Sequence, residues 1–297
     1  METTNKAEAD SAKMAYERGL AAYEQGNFQE AIDQYTQSIA IDPNNAEVYW
    51  NRGVAYGNYS GDFNRSIEDF TKAIELDPNY ARAYSNRGVC YCKISEYKKA
   101  LADLKRALKI NPNYAWAYYS RADVYYDLGK TDKALADINW AIELDPNYAN
   151  AYIYRGLIYI ALRDYKKVIE NCNQATKINP NIAVAYYNRA IAYYGLDNTN
   201  KALRDYSKAI KINPNYTDAY NNRGLAYAKL KDFKKAIADF TKTIEIDPNY
   251  VMAYSNRALA YKDLGDLKNA AKDARKACEL GDNYALEYLT QNKLLSD

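Results

Sequence analysis

Few side chains in this sequence could do covalent or metal chemistry. The chain has no histidine, which removes Ser–His–Asp and Cys–His nucleophilic schemes, histidine-bound zinc and the usual general base near neutral pH. Its cysteines are Cys90, Cys92, Cys172 and Cys278. Cys90 and Cys92 are two residues apart in a helical pattern, where side chains do not face each other, so we assign all four thiols to packing in a reducing compartment. Since no glycine-rich phosphate loop follows a strand, the sequence predicts no catalytic residue, no metal and no cofactor, and a protein that is not an enzyme.

Arginine and aspartate recur at a spacing that could serve either ion pairing or the binding of an anion. The arginines are Arg18, Arg52, Arg87, Arg121, Arg155, Arg189, Arg223 and Arg257. The aspartates are Asp69, Asp103, Asp137, Asp205, Asp239 and Asp273. We favour a repeated Arg–Asp pair between two helices, with the arginine stem packed on tyrosine rings. The alternative is a basic spine for an anionic ligand.

The elements that position these residues follow from a turn sequence that returns along the chain. It is complete at Asp77-Pro78-Asn79-Tyr80, Asn111-Pro112-Asn113-Tyr114, Asp145-Pro146-Asn147-Tyr148, Asn213-Pro214-Asn215-Tyr216 and Asp247-Pro248-Asn249-Tyr250, with weaker copies at 42–45 and 179–182. All 7 prolines lie in these copies, and from Pro78 onward each follows the last by 34 residues. Such a period predicts a stacked helical array.

Each period contains two amphipathic helices. In residues 81–114, apolar and small residues at helical spacing predict a first helix, helix A, from Ala81 to Ile94 and a second, helix B, from Tyr97 to Ile110. Pro112 ends helix B because it has no amide proton and restricts the residue before it. We expect the asparagine after each proline to cap the next helix A. Counted from the start of helix A, the eighth and twentieth places hold small residues in nearly every repeat, with Val168 the exception, which predicts close contact between the two helices.

The period divides the chain into eight repeats with flanking segments. The repeats are 12–45, 46–80, 81–114, 115–148, 149–182, 183–216, 217–250 and 251–284, and the second has one extra residue within 58–61. Residues 1–11 are expected to form a flexible tail. Residues 285–297 are expected to form a capping helix, in which Leu286, Leu289 and Leu294 cover the exposed end.

The small, aromatic and proline places, repeated eight times over nearly the whole chain, resemble the tetratricopeptide repeat family. Departures are local, for example Ala15 and Ala22 where other repeats have tyrosine, and Thr199 in place of an aromatic residue. The resemblance implies an all-α, right-handed superhelical solenoid of helix-turn-helix repeats. It also implies a non-enzymatic interaction scaffold or adaptor that binds a protein or peptide in a concave groove.

The second, fifth, sixth, ninth, twelfth and thirteenth places of each helix A fall on one face, opposite helix B, which we call the helix A stripe. In the family this stripe lines the groove. We predict that an extended peptide contacts Trp116, Tyr119, Asp123, Tyr126, Tyr154, Tyr187, Asn188, Tyr194 and Asn222, because aromatic residues between polar groups combine apolar burial with directional contacts. A secondary group is Trp50, Asn51, Arg82, Asn86 and Asn256. The alternative is that the tyrosines only stack along the inner wall.

Asparagine at the sixth place could form a ladder that holds a peptide backbone, since a carboxamide both donates and accepts. A similar ladder occurs in the superhelical arm of the O-linked N-acetylglucosamine transferases, although here Ser120 and Tyr154 interrupt it. The carboxylate clamp of Hsp70 and Hsp90 co-chaperones is a second possibility. Glu17 stands where the clamp needs an asparagine and Asn86 where it needs a basic residue, so the sequence argues against binding of those acidic tails.

Composition limits the partners. The formal charge is +2 and lysine pairs are accompanied by acids, so we expect no nucleic acid. No apolar run approaches the roughly 20 residues that span a bilayer, and the polar N-terminus lacks a signal peptide, which predicts a cytoplasmic protein with no membrane contact. Two other roles stay open, namely a structural array that assembles through its ends or convex face and a substrate-positioning subunit of an enzyme complex.

Overall fold

The computed structural model describes residues 2–282 and 284–291, and all regular structure within these ranges is helical. The chain divides into two compact parts, residues 1–146 and 147–297. The first contains α1 (Glu2–Glu24), α2 (Phe28–Ile41), α3 (Ala46–Ser60), α4 (Phe63–Leu76), α5 (Ala81–Lys93), α6 (Tyr97–Ile110), α7 (Ala115–Asp127) and α8 (Thr131–Leu144). The second contains α9 (Ala149–Ala161), α10 (Tyr165–Ile178), α11 (Ala183–Gly195), α12 (Thr199–Ile212), α13 (Thr217–Lys229), α14 (Phe233–Ile246), α15 (Val251–Asp263), α16 (Leu267–Glu279) and α17 (Tyr284–Gln291).

The helices come in consecutive antiparallel pairs, one pair for each period of the sequence. Odd-numbered helices up to α15 correspond to helix A, and even-numbered helices correspond to helix B. The predicted all-α array of helical hairpins is therefore confirmed. The extra residue of the second repeat is accommodated at the end of helix A, because α3 has 15 residues whereas α5 and α7 have 13.

Small residues at the eighth place allow the two helices of a repeat to touch, as predicted. A Cβ atom added to Gly88 would lie 2.9 Å from Leu104 Cγ and 3.2 Å from the Ala100 carbonyl oxygen. Gly53 and Gly224 are similarly close to the rings of Phe70 and Phe240. These large side chains at the twenty-fourth place fill the space that the glycine leaves, so in these three hairpins the core is a small residue packed against a large one.

The turn between repeats is built differently from the prediction. The N-cap of α5 is Tyr80, which makes no side-chain cap bond, so the expectation that the asparagine after proline caps helix A is wrong here. Instead, the Asp77 carboxylate accepts a hydrogen bond from the Asn79 amide at 2.9 Å, an Asx-type turn that recurs at Asp247 and Asn249. The cause is the short side chain of the residue before proline, which satisfies the nearest backbone donor within the turn itself.

The two ends of the chain also differ in part from expectation. Residues 2–11, expected to be a flexible tail, belong to α1, and an alanine- and glutamate-rich composition favours this longer helix. At the other end, Ala285 and Leu286 of α17 pack against Ala258 and Ala270. The expected contacts of Leu289 and Leu294 lie outside the described residues and side chains. None of the described helices is both long enough and apolar enough to cross a membrane.

Candidate functional site

The recurring arginines are held by the recurring aspartates. In six repeats the guanidinium binds both carboxylate oxygens, with Nε to Oδ2 at 2.6–2.8 Å and Nη2 to Oδ1 at 2.7–2.9 Å. The pairs are Arg52–Asp69, Arg87–Asp103, Arg121–Asp137, Arg189–Asp205, Arg223–Asp239 and Arg257–Asp273. The predicted pair between helices A and B is thus confirmed. A basic spine for an anion is not formed by these six guanidinium groups, because aspartate neutralises each of them.

Five of these six arginines also reach back to the preceding repeat. Arg87 Nη1 donates to Thr71 Oγ1 at 3.0 Å, and Arg223 Nη1 donates to Ser207 Oγ at 3.0 Å. Their guanidinium carbons lie over the fourth-place tyrosine rings at 5.5–5.6 Å from the centroids. Burial alone lowers the pKa of Arg87, but the hydrogen bonds and charge of Asp103 outweigh this effect and raise it. Each such arginine is therefore a structural tie among three helices.

Two of the eight repeats have no aspartate at the twenty-third place, and in residues 12–45 this place is Gln34. In residues 149–182 the twenty-third place is Asn171, whose Oδ1 accepts a hydrogen bond from Arg155 Nε at 2.7 Å. Asn171 Nδ2 in turn donates to the Lys167 carbonyl oxygen at 2.8 Å. Burial lowers the pKa of Arg155, in the direction opposite to Arg87, because a neutral amide cannot offset the desolvation of the guanidinium.

In the first part of the chain the helix A stripe contains two adjoining cavities with Trp116 between them. The first, of about 230 Å³, lies among α3, α4, α5 and α7. Its lining residues are Gly53, Val54, Gly57, Asn58, Phe63, Ser66, Phe70, Asn86, Val89, Cys90 and Trp116. The second, of about 200 Å³, lies between α5 and α7. Its lining residues are Val89, Cys92, Lys93, Trp116, Tyr119, Ser120 and Asp123.

Trp116 and Ser120 give the second cavity its chemical character. Trp116 is 38% exposed and stacks on Tyr119, with ring centroids 5.6 Å apart and planes 22° apart. Ser120 is only 4% exposed, and its Oγ has no hydrogen-bond partner in the structure. A buried hydroxyl without a partner costs free energy, and a ligand atom in the cavity could supply the missing bond. Of the other predicted residues on α7, Asp123 lines this cavity and half-buried Tyr126 does not.

The secondary stripe residues of the first part contact one another. Arg82 lies over the Trp50 ring at 4.6 Å and is 3.9 Å from a Glu47 carboxylate oxygen. Asn51 Nδ2 donates to Tyr16 Oη at 3.2 Å and to the Glu47 carbonyl oxygen at 2.9 Å. These groups therefore form an internal network. Asn86, unlike them, faces the first cavity.

In the second part of the chain, asparagines and a tyrosine form a chain of hydrogen bonds across three repeats. Asn256 Nδ2 donates to Asn221 Oδ1 at 3.1 Å, Asn221 Nδ2 donates to Asn222 Oδ1 at 3.3 Å, and Asn222 Nδ2 donates to Tyr187 Oη at 2.9 Å. Burial raises the pKa of Tyr187 to about 12. The amide donors expected to hold a peptide backbone are thus engaged with neighbouring protein groups at Asn222 and Asn256.

The other predicted residues of the second part are also placed by the structure. Asn188 is 4% exposed, so it does not present a surface amide as expected. Ser120, which like Asn188 follows a tyrosine at the fifth place, is buried to the same extent. Tyr194 lies under the Lys229 ammonium at 4.6 Å, and that lysine pairs with Asp197. Tyr154 is half-buried.

The cysteines are packing residues in the described structure. Cys90, Cys92 and Cys172 are buried and have no disulfide. Burial raises the pKa of Cys90 and Cys172 to about 12 and that of Cys92 to about 11, so their thiols stay protonated at neutral pH. Across residues 2–282 and 284–291 there is no group of three or more acidic or cysteine side chains arranged to hold a metal ion.

Sequence reasoning did not single out several residues that line the two cavities. Val89 and Cys92 occupy the ninth and twelfth places of the stripe, but their apolar character gave no binding signal. Phe63 belongs to helix B, outside the stripe. In the sequence, Ser120 stands out only because it interrupts the asparagine ladder. That interruption was the one sequence feature that could have indicated a different kind of binding site at this repeat.

The paired helices and the hydrogen bonds between repeats define an α-helical repeat protein. The tetratricopeptide repeat model matches residues 81–114, 115–148, 149–182, 183–216 and 217–250. Related repeat models match residues 19–59, 58–95 and 240–272. The chain therefore belongs to the tetratricopeptide repeat family, whose fold is generally a non-catalytic scaffold for protein or peptide partners.

Solved structures show the same fold. A chain of the APC/C hetero-tetramer Cut9–Hcn1 has a TM-score of 0.70 at 17% identity and covers 89% of this chain, which spans 52% of that one. A tetratricopeptide repeat protein from Parabacteroides merdae has a TM-score of 0.59 at 23% identity, with 82% and 97% covered. YrrB, described as a TPR protein with an unusual peptide-binding site, has a TM-score of 0.51 at 25% identity, and the match covers 63% of this chain and 96% of the YrrB chain. No curated protein sequence matches this chain.

Proposed function

We propose that this protein is a non-enzymatic scaffold that binds an extended segment of a partner protein on the helix A stripe of α3, α5 and α7. The observation that carries the proposal is the pair of cavities on either side of Trp116. Each is of a size to accept one side chain, and Trp116 offers a half-exposed aromatic face between them. Aromatic anchors next to small pockets are the usual centres of binding energy at protein interfaces.

This location differs from the first expectation, which centred on repeats four to six. Two of the amides expected to bind backbone, Asn222 and Asn256, donate to Tyr187 and Asn221 instead. A peptide there would have to break internal hydrogen bonds before making new ones, so the net gain would be small. The Trp116 region offers open volume and the unsatisfied Ser120 hydroxyl, so a ligand can bind Ser120 without breaking an existing hydrogen bond of that side chain. We keep Tyr154, Tyr187 and Tyr194 as a weaker second surface.

The similarity to YrrB supports a peptide ligand, because that structure is described as having a peptide-binding site. The likeness to the Cut9–Hcn1 chain supports the fold alone.

A location in the cytoplasm is part of the same proposal, and it rests on buried, protonated thiols that suit a reducing compartment. Fractionation of cells that produce the protein would test that location.

Replacement of Trp116 by alanine tests the binding site. We expect Trp116→Ala to weaken the binding of short peptides selected from a random library by about 2 kcal/mol, or roughly thirtyfold, because an aromatic anchor is removed. Fluorescence anisotropy of labelled peptides measures this change. Trp140→Ala is the matched control, since Trp140 is 50% exposed on helix B, off the stripe. Equal affinity of the wild type and Trp116→Ala for every selected peptide would refute the proposed site.

A further inference from the structure

The two cavities beside Trp116 differ in charge, and this difference suggests what each one accepts. The first is lined mainly by Phe63, Phe70, Val54 and glycine backbone, with no charged side chain. The lining of the second includes the acidic residue Asp123 and the basic residue Lys93. An apolar side chain is thus the natural occupant of the first cavity.

A second carboxylate lies next to the second cavity. Cys92, which lines the cavity, has its Sγ 3.7 Å from Asp127 Oδ2. Asp127 is the last residue of α7, where the helix dipole also places partial negative charge. The wall formed by α7 therefore carries two carboxylates and a helix C-terminus against the single ammonium of Lys93 on α5. The local field favours a cation and opposes an anion.

The remaining groups of the cavity also suit a long basic side chain. The stacked rings of Trp116 and Tyr119 offer a flat aromatic surface on which an alkyl stem packs and toward which a cation is attracted. Ser120 Oγ, buried and without a partner, can accept a hydrogen bond from a donor that enters the cavity. An ammonium or guanidinium has enough donors to bind both Ser120 and Asp123, whereas an apolar side chain would leave Ser120 unsatisfied.

We infer that the cavity of Trp116, Tyr119, Ser120 and Asp123 is a specificity pocket for a lysine or arginine side chain of the bound peptide. The neighbouring cavity of Phe63 and Phe70 takes an apolar side chain of the same peptide. This inference rests on the proposed function, because it names the kind of segment that the stripe selects. The recognised partner segment is extended and carries one apolar and one basic residue.

A library of short random peptides with blocked termini, retained on the immobilised full chain and sequenced, tests the inference. We expect enrichment of a basic residue at a fixed distance from an apolar one. Asp123→Asn should abolish the basic preference while keeping the apolar one, and Asp123→Lys should favour an acidic residue instead. Asp132→Asn, an exposed carboxylate on helix B, is the control and should leave both preferences unchanged.

A second measurement does not depend on any variant. The most enriched peptide is synthesised with lysine and with acetyl-lysine, which keeps the stem and removes the charge. We expect the acetylated form to bind the wild-type protein about tenfold more weakly. Ser120→Ala, which removes a hydroxyl that has no partner in the free protein, should fold normally and weaken binding of the lysine peptide only.

The outcomes separate the two proposals. The basic pocket is refuted if the selected peptides depend on Trp116 but show no preference for a basic residue, or if acetylation leaves their affinity unchanged. Either result would still support peptide binding on the helix A stripe. If the wild type retains no peptide, or if Trp116→Ala retains the same peptides as the wild type, the groove itself fails and the basic pocket fails with it.

Discussion

At the scale of single residues, Asn171 stands where six other repeats have an aspartate. Its amide holds Arg155 through one hydrogen bond from Nε, and burial lowers the pKa of that arginine. In the next repeat, Arg189 binds both oxygens of Asp205 and its pKa is raised, mainly by that hydrogen bonding. The two sites share the same helical framework, so the difference lies in one side chain.

We therefore expect Asn171→Asp to stabilise the protein by about 1 kcal/mol, because a carboxylate replaces an amide opposite a buried guanidinium. Urea denaturation followed by circular dichroism measures the change. Asp205→Asn is the converse variant and should lose a similar amount. A lower urea midpoint for Asn171→Asp than for the wild type would contradict the expectation that a negative charge opposite Arg155 stabilises the folded protein.

At the scale of elements, the contact between helices A and B depends on complementary volumes at the eighth and twenty-fourth places. Gly88 faces Leu104, and a Cβ would approach Leu104 Cγ to 2.9 Å. Gly156 faces Cys172, and there the nearest atoms to a Cβ are the Asn171 Cβ and the Cys172 Sγ, both at 3.7 Å. The same residue type at the same place is thus required in one hairpin and optional in the other.

This contrast predicts opposite effects of one substitution. Gly156→Ala should be neutral or stabilise by up to about 1 kcal/mol, since alanine is the better helix former and has room. Gly88→Ala should destabilise by about 1–3 kcal/mol, because Leu104 and the helix backbone must move apart. Thermal unfolding of both variants beside the wild type is the measurement, and equal shifts in Tm would contradict the packing account.

At the scale of the whole molecule, burial raises the pKa of several tyrosines and cysteines. The chain has no histidine. Burial raises the pKa of Tyr80, Tyr187, Cys90 and Cys172 to about 12 and raises that of Tyr206 further. In the unfolded chain these groups ionise at about pH 8.5–10. The folded state therefore binds more protons than the unfolded state between those values and about pH 12.

It follows that stability should change little between about pH 6 and 8, where no histidine titrates, and fall as the pH rises above about 9. The sign is set by the raised pKa values, because the unfolded state releases its protons first. Urea midpoints across this range measure the effect. A midpoint that stays constant up to pH 11 would contradict it.

Much of the architecture could be predicted from the sequence because one period carries it eight times. The Arg–Asp pairs were predictable since both partners recur at fixed places. The cavities beside Trp116 were not, because they depend on how Phe63 and Val89, residues without polar groups, leave space between helices. The hydrogen bond from Asn222 to Tyr187 could not be predicted either. A repeat pattern shows which residues share a face, but it does not show which of them form hydrogen bonds with each other.

The hydrogen bonds that these arginines make to neighbouring repeats affect how the number of repeats can change during evolution. Arg87 bonds to Asp103, sixteen residues ahead, and to Thr71, sixteen residues behind, and Arg223 does the same with Asp239 and Ser207. A repeat that holds both groups, such as 46–80 with Asp69 and Thr71 or 217–250 with Asp239 and Thr241, therefore brings its own aspartate and offers a hydroxyl to the repeat that follows. Duplication or deletion of a gene fragment that encodes such a repeat leaves the neighbouring arginines with both kinds of acceptor, so the protein can be lengthened or shortened at these repeats without new compensating mutations.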